Sequence, residues 1–117
     1  MGRLTTHVLD IAHGIPGSGI EVRLYRAGPK GYEMVKTLVT NADGRGDAPL
    51  LEGAAMIAGR YRLVFGAGAY FRRMGTRLAD PPFVDEVSLD FGIADIDAHY
   101  HVPLLVSPWS YSTYRGS

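Results

Sequence analysis

Apolar and polar residues alternate at the start of the chain, with Leu4, Thr6 and Val8 on one side of an extended segment and Thr5, His7 and Leu9 on the other. Period-two segments rich in Val, Leu, Tyr and Thr recur, and few windows hold the i, i+3, i+4, i+7 spacing of an amphipathic helix. The pattern predicts strands over Leu4 to Asp10, Ile20 to Ala27, Glu33 to Thr40, Asp47 to Leu50, Arg60 to Phe65, Val84 to Phe91, His99 to Ser107 and Tyr111 to Arg115. Turn residues separate them, as in His13 to Gly19, Ala27 to Gly31 and Asn41 to Gly44. One short helix is expected over Ala69 to Gly75, with Gly66 and Gly68 weighing against a longer one. About eight strands in one chain imply an all-β fold, a two-sheet sandwich.

Length and composition narrow the picture. The 117 residues suit a single domain spanning 1 to 117, with 46% apolar and 21% charged residues, ordinary for a globular protein. Twelve basic and twelve acidic side chains cancel, so no long-range positive field recruits nucleic acid or an anionic membrane. The lack of cysteine excludes disulfide scaffolds and thiolate metal sites. No apolar run approaches the roughly 20 residues of a membrane helix, and no signal-peptide core follows Met1, so the default location is cytoplasmic. Arg60 to Arg77 form a basic block and Asp80 to Asp97 an acidic one, expected on solvated strand faces and charged sheet edges.

Candidate chemistry gathers on two strands and one turn. His7 lies on the Thr5 side of the first strand, where a lone histidine is more often structural than catalytic. His99 and His101 share a face with Pro103 and Leu105, opposite Tyr100, Val102, Leu104 and Val106. A His-x-His strand pair with His7 as third ligand would suit a zinc hydrolase, one open reading. Pro103 lacks an N–H, so this strand must be an edge or be interrupted there. Asp43-Gly44-Arg45 reads as a turn tip followed by a cation able to donate to a carbonyl or oxyanion. Serines are plentiful near the end, but no Gly-x-Ser-x-Gly elbow, Walker sequence or His-Glu-x-x-His helix is present.

Three separated stretches resemble one family. Leu4-Thr5-Thr6-His7-Val8-Leu9-Asp10 with Gly14-Ile15-Pro16, then Asp43-Gly44-Arg45, then Tyr100 to Pro108 running to Tyr111-Ser112-Thr113-Tyr114-Arg115-Gly116-Ser117 are similar to the signatures of the transthyretin-like 5-hydroxyisourate hydrolases. The last is the most specific: hormone-carrying transthyretins share part of it but lack the Tyr-Arg-Gly-Ser ending, and lack the two histidines and the arginine at the matching positions. Gly17, Trp109 and Ser110 depart from the family's usual Ala, Tyr and Gly. Trp109 keeps an aromatic body, so it bears on packing or substrate range rather than on the reaction.

The resemblance implies a homotetramer of transthyretin-like sandwiches with sites where subunits meet, lined by His7, Arg45, His101 and the terminal Tyr114, Arg115, Gly116 and Ser117. The implied reaction opens a ring amide of 5-hydroxyisourate with water, giving 2-oxo-4-hydroxy-4-carboxy-5-ureidoimidazoline in urate catabolism, without cofactor or metal. Either His7 or His101 would activate water and the other would serve the leaving nitrogen or hold the substrate, since imidazole titrates at about 6.5. Arg45 would hold a histidine neutral by charge repulsion and stabilise the oxyanion. His99 falls outside the matching positions and is expected to support the site or lie at the surface. Two alternatives stay open: a transthyretin-like carrier without catalysis, whose channel should be apolar, and a His-ligated metal-dependent hydrolase.

Overall fold

The computed structural model describes residues 1–116. Its strands are β1 (Arg3–Asp10), β2 (Ile15–Pro16), β3 (Glu21–Gly28), β4 (Gly31–Val39), β5 (Leu51–Glu52), β6 (Gly59–Phe65), β7 (Val87–Ile93), β8 (His99–Val106) and β9 (Tyr111–Thr113), with one helix, α1 (Ala67–Arg73). They form two sheets. One runs β2-β1-β8-β9, with β5 also paired to β1, and the other runs β4-β3-β6-β7. Ser117 lies outside the described residues.

The alternation read in the sequence becomes the layer structure. In β1, Leu4, Thr6, Val8 and Asp10 are buried, while Thr5, His7 and Leu9 are only half-buried. Leu4, Val8, Leu104 and Val106 face Val22, Leu24, Leu63 and Phe65 of the other sheet in one apolar core, which Tyr70 and Phe71 of α1 join. Burying such side chains is worth about 1.5–3 kcal/mol each, so this core fixes the strand register.

β1 and β8 pair in parallel, the first long strand against the last. Leu4 lies opposite Tyr100, Thr5 opposite His101 and His7 opposite Pro103. Side chains at matched positions of paired strands share a face, so Thr5, His7, His99 and His101 stand together on the side away from the core. β9 pairs Leu104 to Val106, and a separate bridge joins His101 to Gly116. Pro103 sits between these two pairings, where its carbonyl accepts from the Thr113 hydroxyl at 2.7 Å and no partner strand needs its missing N–H. The expected interruption is there.

Element ends differ from the sequence reading in several places. α1 begins at Ala67, two residues before the expected Ala69, because its start packs on the 82–85 loop: Gly68 N donates to Asp85 O at 2.7 Å. A Cβ on Gly68 would lie 2.7 Å from Asp85 Oδ1, so the glycine that argued against a helix permits this close approach. Gly75, at φ +80°, follows the helix end as expected. The strand expected over Asp47 to Leu50 is instead Leu51–Glu52, and β7 starts at Val87 rather than Val84. Ile15–Pro16, read as part of a turn, forms a two-residue ladder with Leu9 and Asp10.

One ion pair links the two charge blocks within the chain among the described residues. Arg62 on β6 meets Asp90 on β7 through two bonds of 2.6 and 3.0 Å. Among the described residues, no helix is long and apolar enough to cross a membrane.

Candidate active site

The Asn41–Arg45 turn is no free loop tip. Asn41 Oδ1 accepts from the amides of Asp43 at 2.9 Å and Arg45 at 3.1 Å, and Asn41 N donates to Arg45 O at 2.8 Å. The turn docks on β1, where Val8 N donates to Gly44 O at 2.8 Å and His7 bridges Arg45. Gly44 has φ +74°, and a Cβ on it would collide with the Val8 carbonyl oxygen. Only glycine meets both demands. Nearby, the buried Thr40 hydroxyl donates to Gly17 O at 2.6 Å and accepts from Ile20 N at 2.9 Å, closing the base of the turn. Arg45 is therefore carried on a fastened support.

The C-terminal segment is fastened too. Gly116 N donates to His101 O at 2.7 Å. A Cβ on Gly116 would lie 2.7 Å from His101 Cδ2, so the backbone rests directly on the imidazole. The Arg115 guanidinium carbon stands 4.2 Å above the Tyr100 ring centre, a cation–π contact. The Tyr100 hydroxyl in turn accepts from the amides of Ala94 and Asp95, each at 3.0 Å. Ser117, also expected at the site, lies outside the described residues.

Two concavities meet at the histidines. One, of about 420 Å³, is bordered by Arg3, Thr5, Arg45, Asp47, His99 and His101. The other, of about 710 Å³, is bordered by His99, His101, Tyr114, Arg115 and Gly116. His101 thus borders both, Arg45 the first and the tail the second. His7 lines neither, yet its charge acts on His101. Trp109 lies on the turn beyond the far end of β8, two-thirds exposed, and borders neither concavity.

Burial lowers the His101 pKa below the usual histidine value, and the charges of Arg45, His7 and His99 lower it further. His7 is also lowered, by burial and then by Arg45, against the opposing effects of a hydrogen bond that its ring donates to the Asp43 backbone and of the Asp43 charge. Both imidazoles are neutral near pH 7, in the form that can accept a proton from water. Arg45 contributes as expected, but desolvation is the larger cause.

One residue of the site escaped the sequence reading, and another was left open between a support and a surface residue. The Thr5 hydroxyl lies 2.8 Å from His101 Nδ1 and 2.9 Å from His99 Nε2, joining the two rings. His99, expected as a support or a surface residue, borders both concavities. Alternation had already put Thr5 on the face of His7 and His99 on that of His101; the missing signal was the parallel pairing that brings the two faces together. Among the described residues, no group of three or more His, Cys, Asp or Glu side chains is placed to hold a metal ion, so His7, His99 and His101 do not form a ligand set.

The chain is 59% identical over 117 residues to 5-hydroxyisourate hydrolase of Pseudomonas aeruginosa, covering all of this chain and 93% of that one. It superposes on a structure of 5-hydroxyisourate hydrolase from Klebsiella pneumoniae with a TM-score of 0.82 at 41% identity, covering 100% of both chains. It matches a structure of (S)-allantoin synthase with a TM-score of 0.94 at 47% identity, covering 99% of this chain and 44% of that longer one. A family model also matches residues 4–116, and the chain belongs to the HIUase/Transthyretin family.

Proposed function

We propose that this protein hydrolyses 5-hydroxyisourate, opening a ring amide to give 2-oxo-4-hydroxy-4-carboxy-5-ureidoimidazoline. The observation that carries the reading is the environment of His101. A neutral imidazole borders the same concavity as Arg45 while its backbone holds the Tyr114–Gly116 tail. Water attacking an amide carbonyl needs a base, a donor for the developing oxyanion and an acid for the leaving nitrogen. Of His101 and His7, one activates water and the other serves the leaving nitrogen or holds the substrate, and Arg45 supplies the donor. Tyr114, Arg115, Gly116 and Ser117 are assigned to substrate binding. The reaction draws on no cofactor or metal in this reading.

We further assign the chain to one domain over residues 1–117, to urate catabolism in the cytoplasm, and to a homotetramer whose subunit contacts complete the sites. The openness of both concavities in one subunit fits that assembly. A carrier role without catalysis is less well supported, because Arg3, Arg45, His99 and His101 at the concavity are costly to bury against an apolar ligand.

The test is direct. 5-Hydroxyisourate is generated from urate in place and its absorbance followed with and without the protein. Faster decay with the protein is expected; decay at the spontaneous rate overturns the reading.

A further inference from the structure

One hydroxyl serves two imidazoles. Thr5 Oγ1 lies within hydrogen-bond distance of His101 Nδ1 and His99 Nε2, and the ring centres stand 6.3 Å apart. A hydroxyl has one proton, so it donates to one ring and accepts from the other. The tautomers of His99 and His101 are therefore linked. If Thr5 donates to His99, His101 carries its proton on Nδ1 and leaves Nε2 free as a base. If Thr5 donates to His101, then Nε2 carries the proton and is an acid.

We propose that Thr5 and His99 are positioning residues for the hydrolysis, the Thr5 hydroxyl setting the tautomer of His101 and relaying its second proton to His99. The proposal rests on the hydrolase reading above and makes one imidazole both base and acid. Water attacks the carbonyl carbon, its proton passes to His101 Nε2, and the carbonyl electron pair becomes an oxyanion at Arg45. The His101 Nδ1 proton moves to Thr5 Oγ1 as the Thr5 proton moves to His99 Nε2. On collapse the C=O re-forms and the C–N bond breaks. His101 Nε2 then gives its proton to the departing nitrogen, and the relayed proton returns from His99 through Thr5 to Nδ1. Each residue ends as it began, and His7 is left to hold the substrate.

The surroundings favour this over a lasting imidazolium on His101. Arg3 and His7 from β1, Arg45 and Asp47 from the turn region and Tyr114 with Arg115 from the tail surround the pair. Three of these are guanidiniums and one is a carboxylate, so positive charge on His101 is disfavoured. The relay keeps that ring neutral after it takes the water proton by placing the imidazolium charge on His99 until the leaving nitrogen is protonated. The parallel register, with Thr5 opposite His101, holds the three groups on rigid strands.

The experiment compares wild type with Thr5→Val, Thr5→Ser and His99→Gln, by turnover across pH and by nitrogen-15 spectra of the imidazoles, with thermal midpoints confirming folding. Thr5→Val and His99→Gln should each lower kcat by about 10- to 100-fold with KM little changed, and Thr5→Ser should recover most of the loss. Titration of either ring should shift the nitrogen signals of the other in wild type and not in Thr5→Val. Wild-type kcat and pH profile in Thr5→Val, or in His99→Gln, overturn the relay. So do His101 nitrogen signals that Thr5→Val leaves unchanged. That spectral arm needs no substrate, so it is decisive even if the wild-type protein fails to accelerate 5-hydroxyisourate decay, the separate outcome that would sink the hydrolase reading.

Discussion

Gly116 and His101 are joined through their backbones, the Gly116 amide donating to the His101 carbonyl at 2.7 Å while the glycine's missing side chain leaves room for the imidazole. The tail and the candidate base thus share one position. A change in either is felt by the other.

Gly116→Ala puts a methyl where His101 Cδ2 would be 2.7 Å away, so either the ring or the tail moves. A displacement of that kind is expected to lower kcat by about 10- to 100-fold. The thermal midpoint should barely change, because the partly buried chain end carries little of the core. Steady-state kinetics beside a melting curve check this, and full turnover in a well-folded variant would show that the tail is not coupled to the ring.

Arg45→Met removes both a donor and a charge. Loss of an oxyanion donor should lower kcat by about 10²- to 10³-fold. Removing the cation lets the His101 pKa rise toward its ordinary value, since Arg45 now depresses it. The acid limb of the pH–rate profile is expected to move to higher pH. An unmoved limb would mean that His101 is not the group titrating there. Arg45→Lys should not restore turnover fully, because an ammonium lacks the fork of the guanidinium.

Asn41→Ala tests the support rather than the site. Its Oδ1 holds the amides of Asp43 and Arg45, and losing that acceptor should cost about 1–2 kcal/mol of stability, read from denaturant unfolding. Activity should fall with it, as Arg45 loses its fixed position. Normal kcat in a destabilised Asn41→Ala protein would separate the turn from the chemistry.

Stability should depend on pH through the same histidines. His7 and His101 have folded-state pKa values below the ordinary 6.5, so the unfolded chain binds more protons between the folded values and 6.5. Their contribution is complete above pH 6.5 and is lost as pH falls through that window. Melting temperatures should therefore drop on acidification below pH 6.5, with a shallower slope in a His7→Gln, His101→Gln double variant. An unchanged slope in the double variant would assign the acid loss to other groups. Asp10 is one such group, held below the usual carboxylate range by the Tyr70 hydroxyl and by His13 despite burial, and its loss begins at lower pH.

The sequence made the strands and the histidine faces legible because alternation is a local property. It also disclosed Arg45 and the tail through the resemblance of short motifs. What it withheld was non-local. No local pattern announces that β1 lies parallel to β8, so Thr5 stayed an ordinary strand residue and His99 stayed open between a support and a surface residue. Gly68 misled for a related reason: its helix cost is local, but the close packing on Asp85 that it permits lies 17 positions away along the chain. The Asp43-Gly44-Arg45 turn read as a loop tip until its bonds to Val8 were visible.

The parallel union of β1 and β8 places partners 96 residues apart in the chain within one hydrogen bond, Thr5 to His101. Contacts of such separation close a long loop and lie among the slowest to form. A growing chain that still lacks β8 lacks the site, whatever else has folded. Turnover in a refolding experiment would accordingly switch on only when β1 and β8 have met, making the reaction itself a clock for that closure of the fold.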